Sequence, residues 1–159
     1  MSARAAVRLA ILGFPDVRRY TPGKADWAAA GLPLERPGDT RPRAADLARR
    51  DAPTCMLDDD LAAVRGRVRA AGWDICVVLD ADGVVVGRLG RGAIGADDGR
   101  TVEEAMSEGP GTIRPNALLE QVVERLRERN LQTALVTTSD GELVGVLRRD
   151  EAEAALGRY

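Results

Sequence analysis

The sequence contains no histidine, a single lysine and only five aromatic residues among its 159 residues. Without histidine, the Ser-His-Asp and Cys-His arrangements for nucleophilic catalysis and the common zinc sites are excluded in their usual forms. The two cysteines, Cys55 and Cys76, form neither a Cys-x-x-Cys pair nor a zinc-binding spacing. Both lie among apolar residues, where we expect them to be part of the core. The sequence therefore predicts neither a catalytic site nor a metal site.

Long apolar runs and charge of one sign are also missing. No apolar stretch approaches the roughly 20 residues that span a bilayer, and the arginine-containing segment Met1–Leu12 does not resemble a signal peptide. The net charge is −2 and the pI is about 5.3, with acidic and basic residues interspersed, which argues against nucleic acid as the main partner. Free cysteines are typical of a reducing compartment. We expect a cytoplasmic protein without a membrane or nucleic-acid partner.

An internal repeat is the most informative feature that is present. Between Thr54 and Leu89, 11 of 36 positions are identical to the positions 58 residues later, without a gap. The identities include the turns Asp82-Gly83 and Asp140-Gly141 and the Val-Gly pairs that follow them. Two copies are too few for a solenoid, which needs about three units. The period therefore predicts two similar units that pack face to face about a pseudo-twofold axis.

Each copy has the same predicted order of elements. In the second copy, Asn116 is the expected N-cap of a helix, and Asn130 is expected to end that helix in a left-handed conformation. The first helix is expected to end at Gly72. Apolar periodicity and Asp-Gly turns predict an α+β fold of two β-α-β-β-α repeats. The predicted helices and strands are Asp58–Ala71, Ile75–Leu79 and Val84–Leu89 in the first copy, and Thr112–Ile113, Ala117–Arg129, Thr133–Thr138, Glu142–Leu147 and Arg148–Leu156 in the second.

This order of elements resembles the CBS domain, a regulatory unit that usually occurs in pairs. The motifs that carry the resemblance are Thr112–Pro115, with the pattern Thr-x-x-Pro, and the turn-strand segments Asp82–Leu89 and Asp140–Leu147. The resemblance implies a non-catalytic module that assembles as a flat homodimer. In this interpretation the apolar faces of the helices Asp58–Ala71 and Ala117–Arg129 form the dimer surface.

The same resemblance implies a regulatory ligand that contains adenosine (AMP, ADP, ATP or S-adenosylmethionine), bound in the cleft between the repeats, and no required cofactor. The family holds the ribose with an Asp six residues after a glycine, here Gly145, and usually has Ser or Thr three residues after it. This chain has Glu151 and Arg148 there, and Gly90 and Ala93 in the first copy. An alternative is that residues 148–151 are only a solvated helix start. The ligand-binding residues that the resemblance implies are Thr112, Ile113, Thr133, Gly145, Arg148, Arg149, Asp150 and Glu151.

Residues 1–36 resemble the last third of a rhodanese domain, through Leu-Gly-Phe at 12–14, Gly23, Trp27 and Ala-Gly-Leu-Pro at 30–33. The patterns predict helices over 2–12 and around Trp27 and a short strand over 16–20. The sulfur-carrying cysteine of that family precedes this segment, so we expect no sulfur transfer. Leu9, Phe14 and Trp27 are expected to pack against the repeats or a second chain. Met1 is either the natural start or an internal methionine of a longer protein.

Four segments are predicted: a rhodanese-like remnant over residues 1–36, a linker over 37–52 with a short helix over 44–50, a first CBS repeat over 53–94 and a second over 95–159. Three functions remain open. The chain is a regulatory homodimer that binds an adenosine-containing ligand, a ligand-free module for dimerisation or for docking an unidentified protein partner, or part of a sulfurtransferase-related protein that lacks its catalytic cysteine.

Overall fold

The computed structural model describes residues 8–17, 23, 27, 40–96 and 99–157. Residues 8–11 are helical, and the helix ends at Gly13, whose φ is 91°. The rest of the predicted N-terminal helix, most of the strand predicted over 16–20 and nearly all of the helix around Trp27 lie outside the described residues. Phe14 is 58% exposed, so the packing predicted for it against the repeats is wrong within this chain. Its packing on a second chain stays a prediction.

From residue 40 onward the described chain forms six helices and seven short strands. The strands form two sheets, one in the order β1-β2-β3-β4 and one in the order β5-β6-β7. This architecture confirms the predicted α+β fold of two similar units. In chain order the elements are α1 (Ala44–Leu47), β1 (Thr54–Cys55), α2 (Leu61–Ala70), β2 (Cys76–Leu79), β3 (Val85–Leu89), α3 (Arg91–Gly95), α4 (Val102–Ala105), β4 (Ser107–Glu108), β5 (Thr112–Ile113), α5 (Leu119–Glu128), β6 (Thr133–Thr137), β7 (Leu143–Arg148) and α6 (Arg149–Leu156).

The strand register repeats with the same offset as the sequence. Thr54 lies opposite Val77 in the first sheet, and Thr112 lies opposite Leu135 in the second, with both pairs parallel. The antiparallel hairpins β2-β3 and β6-β7 likewise share their partners at an offset of 58 residues, and each contains one irregularity, after Val78 and after Val136. The duplication therefore extends to individual backbone hydrogen bonds.

The tips of the two hairpins meet at the pseudo-twofold axis. The Val85 N–H donates to the Gly141 carbonyl at 3.0 Å, and the Leu143 N–H donates to the Gly83 carbonyl at 3.2 Å. These two bonds are related by the 58-residue offset, so the axis passes between the turns. Both glycines have positive φ angles, 82° and 92°, which the tight Asp-Gly turn requires. The predicted pseudo-twofold packing is confirmed.

Each repeat has its own apolar core, and the inward faces of α2 and α5 are part of it. Leu61, Val64 and Val68 of α2 are at most 3% exposed, as are Leu119, Val123 and Leu126 of α5. The prediction that these apolar faces supply a dimer surface is therefore wrong, because the side chains are already buried inside the monomer. Cys55 and Cys76 are 4% and 0% exposed, which confirms that both belong to the core.

The helix ends show which local predictions were right. Asp60 caps α2 by accepting a hydrogen bond from the Ala63 N–H at 2.8 Å, two residues later than the predicted start at Asp58. The N-cap of α5 is Leu118, so the prediction of Asn116 at this position is wrong. Asn130 has a φ of 50° after the helix, as predicted, and Gly72 has a φ of 70° after α2.

A short segment precedes each repeat, and we call residues 43–51 and 101–109 the lead-in segments. They also correspond at the offset of 58 residues. α1 and α4 have equivalent bounds, and at the start of each helix an N–H donates to an acidic side chain three residues later, Arg43 to Asp46 at 2.7 Å and Thr101 to Glu104 at 2.9 Å. The segment after α1 pairs with β7 at Arg49, whereas the segment after α4 pairs with β3. Each lead-in segment therefore adds to the sheet of the opposite repeat.

Candidate functional site

A pocket of about 230 Å³ lies between the two repeats. Residues of the first sheet form one side of it, and the second repeat supplies the start of β5, the end of α5 and the start of β6. The residues that line it are Arg88, Ser107, Pro110, Gly111, Thr112, Ile113, Arg125, Leu126, Arg129, Leu131, Thr133, Ala134 and Leu135. Ligand pockets usually measure about 300–1,000 Å³, so this one is smaller than most.

The strand register positions three of the predicted ligand-binding residues. Thr112 and Ile113 form β5, and Thr133 is the first residue of β6. Thr112 pairs with Leu135, which lies two residues after Thr133 on β6. All three line the pocket, so the structure brings them together as the sequence suggested. Leu131, which joins α5 to β6, lies at the pocket and is 37% exposed.

Three arginines of the pocket have no ion-pair or hydrogen-bond partner within residues 40–96 and 99–157. They are Arg88 on β3, Arg125 on α5 and Arg129, the residue after that helix. The Nε atom of Arg88 is buried and unpaired in this part of the chain. A buried donor without a partner costs about 1–3 kcal/mol, and more when the group is charged. No acidic residue lines the described pocket, so its electrostatic potential favours an anion.

Helix position alone does not account for these unpaired charges. Arginines near the C-terminus of a helix are favoured by its dipole, and α2 and α5 both have them. In α2, however, Arg67 pairs with Asp59 at 2.9 Å. The residue equivalent to Asp59 in the second repeat is Ala117, so Arg125, the equivalent of Arg67, has lost this partner. Sequence reasoning missed the three arginines, although the like-charged pair Arg125 and Arg129, four residues apart in the helix predicted over Ala117–Arg129, was a visible indication.

The other predicted residues do not line this pocket. They lie on β7, as Gly145 and Arg148 do, or at the start of α6, as do Arg149, Asp150 and Glu151. At this second location two arginines contact Trp73, and we call Trp73, Arg49, Arg148, Asp150 and Glu151 the tryptophan cluster. The guanidinium carbons of Arg49 and Arg148 lie 5.4 and 5.5 Å from the centroid of its indole.

Ion pairs occupy the carboxylates of the tryptophan cluster. Glu151, the expected ribose carboxylate, accepts from Arg49 at 3.0 Å and lies 3.7 Å from Arg148. Asp150 lies 3.6 Å from the same Arg148 guanidinium. The Arg49 guanidinium also binds Asp51 at 2.5 Å, which lowers the pKa of the Asp51 carboxyl and raises that of Arg49. A ribose at Glu151 would therefore compete with an intramolecular ion pair.

Gly145 is required by the close approach of the lead-in segment. An added Cβ atom at this position would lie 2.6 Å from the Arg49 carbonyl oxygen. The Arg49 N–H donates to the Val146 carbonyl, and the Val146 N–H donates back to Arg49, at 2.9 and 2.8 Å. The glycine that the resemblance placed in a ligand site therefore contacts protein backbone here. Arg149 also has protein partners, since its N–H donates to the Gln132 carbonyl and its guanidinium lies 3.9 Å from Glu153.

The other candidate sites have polar groups that are already paired or unreactive. A cavity of about 350 Å³ beside the first hairpin turn contains Asp59 and Asp80, but Asp59 binds Arg67 and Asp80 accepts from the backbone of its own turn. The hydrogen bond between the thiols and burial raise the pKa of Cys76, which disfavours a reactive thiolate. The described residues contain no group of three metal-ligating side chains. None of the described helices is long and apolar enough to cross a bilayer.

Comparison with protein families gives a match for part of the second half of the chain. Residues 102–157 match the CBS domain family. The match covers the second repeat and less than half of the chain, and it agrees with the motifs at Thr112–Pro115 and Asp140–Leu147. The comparisons do not support the rhodanese resemblance of residues 1–36. No match was found among curated proteins.

Solved structures extend the CBS likeness to both repeats. The CBS domain pair of protein MJ0100, in complex with 5′-methylthioadenosine and S-adenosyl-L-methionine, is 16% identical with a TM-score of 0.66, and the alignment covers 74% of this chain and 98% of that one. CBSX2 of Arabidopsis thaliana in complex with AMP is 18% identical with a TM-score of 0.65, over 73% and 97% of the two chains. The fold is therefore that of a CBS pair.

A third similar structure is longer than this chain. The cytosolic domain of the Mg2+ channel MgtE, in complex with ATP, is 22% identical with a TM-score of 0.64. The alignment covers 71% of this chain, which spans only about half (48%) of that domain. At this level of identity the likeness shows the fold, and the ligands belong to those proteins.

Proposed function

We propose that this chain is a regulatory module, without catalytic activity of its own, that binds an adenosine-containing ligand in the pocket between its repeats. The observation that carries this proposal is the position of the pocket in a CBS-pair fold. Arg88 and Ser107 from one side and Thr112 and Thr133 from the other contribute to one cavity, so a ligand there contacts both repeats. Structures with this fold were determined with AMP, ATP and S-adenosyl-L-methionine.

Binding between two repeats provides a means of regulation. A ligand that contacts both units stabilises one relative arrangement of them, by an amount set by its difference in affinity for the two arrangements. The pocket contains hydroxyl and guanidinium donors but no histidine, thiol or carboxylate for acid–base or nucleophilic chemistry. These features support binding without chemical conversion.

The pocket can be closed by a substitution that the first repeat suggests. Leu131 is equivalent to Trp73, which fills the corresponding position in the first repeat. We expect Leu131→Trp to occupy the pocket and to weaken binding of AMP, ATP and S-adenosylmethionine at least tenfold in calorimetric titration. Leu57→Trp is the matched control, because Leu57 is exposed to a similar extent, 39% against 37%, and does not line the pocket.

The outcomes separate the proposal from its alternative. Binding by the wild type and Leu57→Trp, with loss in Leu131→Trp, supports a ligand in the inter-repeat pocket. Unchanged binding in Leu131→Trp would move the ligand elsewhere. No binding of any adenosine compound by the wild type would refute the proposal and favour a module for docking or dimerisation, which the occupied carboxylate of Glu151 also supports.

We further propose a cytoplasmic homodimer with repeats bounded near residues 53–94 and 95–159. The two reduced, buried cysteines are compatible with a reducing compartment. Exposed apolar side chains outside the repeat cores, such as Ile11 and Leu12, support a self-association surface different from α2 and α5. Light scattering at micromolar concentration tests the dimer, and a strictly monomeric species would count against it.

A further inference from the structure

The pocket between the repeats contains a concentration of uncompensated positive charge. Among the arginines of residues 40–96 and 99–157, only Arg88, Arg125 and Arg129 have no protein partner for their guanidinium groups, and all three line this one pocket. The other arginines of these segments bind carboxylates, donate to backbone carbonyls or have another partner. The chain has 25 acidic residues, so partners are plentiful elsewhere.

We infer that these three arginines form a phosphate site, so that the module binds phosphate-bearing adenosine ligands and discriminates against neutral or cationic ones. The inference rests on the proposed function and specifies its ligand class. Guanidinium groups donate several hydrogen bonds in a planar arrangement that matches the oxygens of a phosphate. A phosphate would give the buried Nε atom of Arg88 an acceptor and would offset the repulsion between Arg125 and Arg129.

The three arginines come from both sides of the cleft. Arg88 is held on β3, where its backbone lies between Val77 of β2 and Ser107 of β4. Arg125 lies on α5 in the second repeat, and Arg129 is the C-cap residue of that helix. An anion bound by all three would therefore connect the first sheet to the second repeat. Thr112 and Thr133 add hydroxyl groups to the same pocket.

The described surroundings do not suit a cationic ligand. S-adenosylmethionine carries a sulfonium and an ammonium group against a single carboxylate, so its net charge is positive and is repelled by three arginines. No acidic side chain lines the pocket, and Glu151 lies in the tryptophan cluster with Arg49. We therefore expect AMP and ATP to bind at least tenfold more tightly than adenosine or S-adenosylmethionine, and added salt to weaken AMP binding.

Calorimetric titrations of the full chain with AMP, ATP, adenosine, S-adenosylmethionine and inorganic pyrophosphate test this assignment. Two variants remove charge, Arg88→Met and the double variant Arg125→Ala with Arg129→Ala, and circular dichroism checks their folding. Arg127→Ala is the matched control, because Arg127 lies on the same helix but pairs with Glu153 at 2.7 Å. The double variant alters only exposed side chains, so it tests the site even if Arg88→Met does not fold.

Tighter binding of AMP and ATP than of adenosine, lost at least tenfold in the charge-removing variants and kept in Arg127→Ala, is the expected result. Equal binding of adenosine, S-adenosylmethionine and AMP, or full binding by the double variant, would overturn the phosphate site and leave the adenosine module standing. Binding of pyrophosphate without any adenosine compound would support the phosphate site and refute the proposed function. No binding of any of the five compounds would refute both.

Discussion

The two repeats place equivalent backbone around two equivalent clefts, one filled by side chains and the other open. In the first repeat, Trp73 is 7% exposed and contacts two arginines, whereas its equivalent Leu131 is 37% exposed at the pocket. Arg129 corresponds to Ala71, and Arg88 corresponds to the buried Val146. The filled cleft contains Trp73 and ion-paired side chains, whereas the open one contains the unpaired charges.

This difference shows which properties the duplication preserves. Backbone register is set by hydrogen bonds and tight turns, and it is the same in both repeats. The contents of a cleft depend on a few side chains, and these have diverged. A single large residue, Trp73, together with its ion-paired neighbours, fills the space that is open at the equivalent pocket. We therefore expect one ligand site in each chain rather than two.

The largest expected effect comes from removing the indole that fills the first cleft. Trp73→Ala deletes a buried aromatic side chain and both arginine contacts, so we expect a loss of about 3–5 kcal/mol in the free energy of unfolding. Leu131→Ala at the equivalent position is the matched control, and it should cost less than about 1 kcal/mol because Leu131 is partly exposed. Urea denaturation of both variants provides the measurement. Equal losses would mean that the two clefts are packed alike.

Much of the fold could be predicted from the repeat because its elements are local. The turns at Asp82-Gly83 and Asp140-Gly141 fix their hairpins within a few residues, and the strand bounds agree to within one residue or so. The lead-in helices α1 and α4 share no identical residue at equivalent positions, and each has only four residues. Such short helices depend on tertiary contacts rather than propensity, so the equivalence of α1 and α4 is visible in the structure and not in the sequence.

The candidate site was predictable only in part. The family resemblance placed Thr112, Ile113 and Thr133 together, and the pairing of β5 with β6 brings them to one pocket. The roles of Glu151 and Arg88 could not be predicted from the sequence, because they depend on whether each side chain already has a partner within the protein. Glu151 has a partner in Arg49, which lies 102 residues earlier in the chain, and Arg88 has none in the described chain. Neither property has a local pattern in sequence.

A second prediction compares Gly145 and Gly87, the equivalent glycines that contact the two lead-in segments. A Cβ atom at Gly145 would lie 2.6 Å from a backbone oxygen of Arg49, whereas at Gly87 it would lie 2.3 Å from the sulfur of Met106. The methionine side chain can rotate away, but the backbone cannot move without breaking its pairing with β7. We expect Gly145→Ala to cost about 1–3 kcal/mol and Gly87→Ala clearly less, measured as the difference between their urea midpoints. A larger loss for Gly87→Ala would show that Met106 is held rigidly.

The smallest expected effect concerns acid stability near the filled cleft. Asp51 binds Arg49, and this hydrogen bond lowers the pKa of the Asp51 carboxyl in the folded protein. A lowered folded-state pKa stabilises the protein above the unfolded pKa of about 3.9, and this stabilisation is lost as the pH falls through the folded value. The equivalent residue in the second lead-in segment is Gly109, so this contribution belongs to the filled cleft alone.

Asp51→Asn should therefore unfold at a slightly lower urea concentration than the wild type at pH 6, and the difference should disappear near pH 2. The effect is small because the Arg49–Asp51 pair is exposed and screened by solvent. Asp58→Asn, at an exposed position in the loop before α2, is the control for the loss of one negative charge. A difference between Asp51→Asn and the wild type that persists below the folded pKa would mean that the side chain acts through packing. In that case the ion pair would not account for how the lead-in segment is held against the filled cleft.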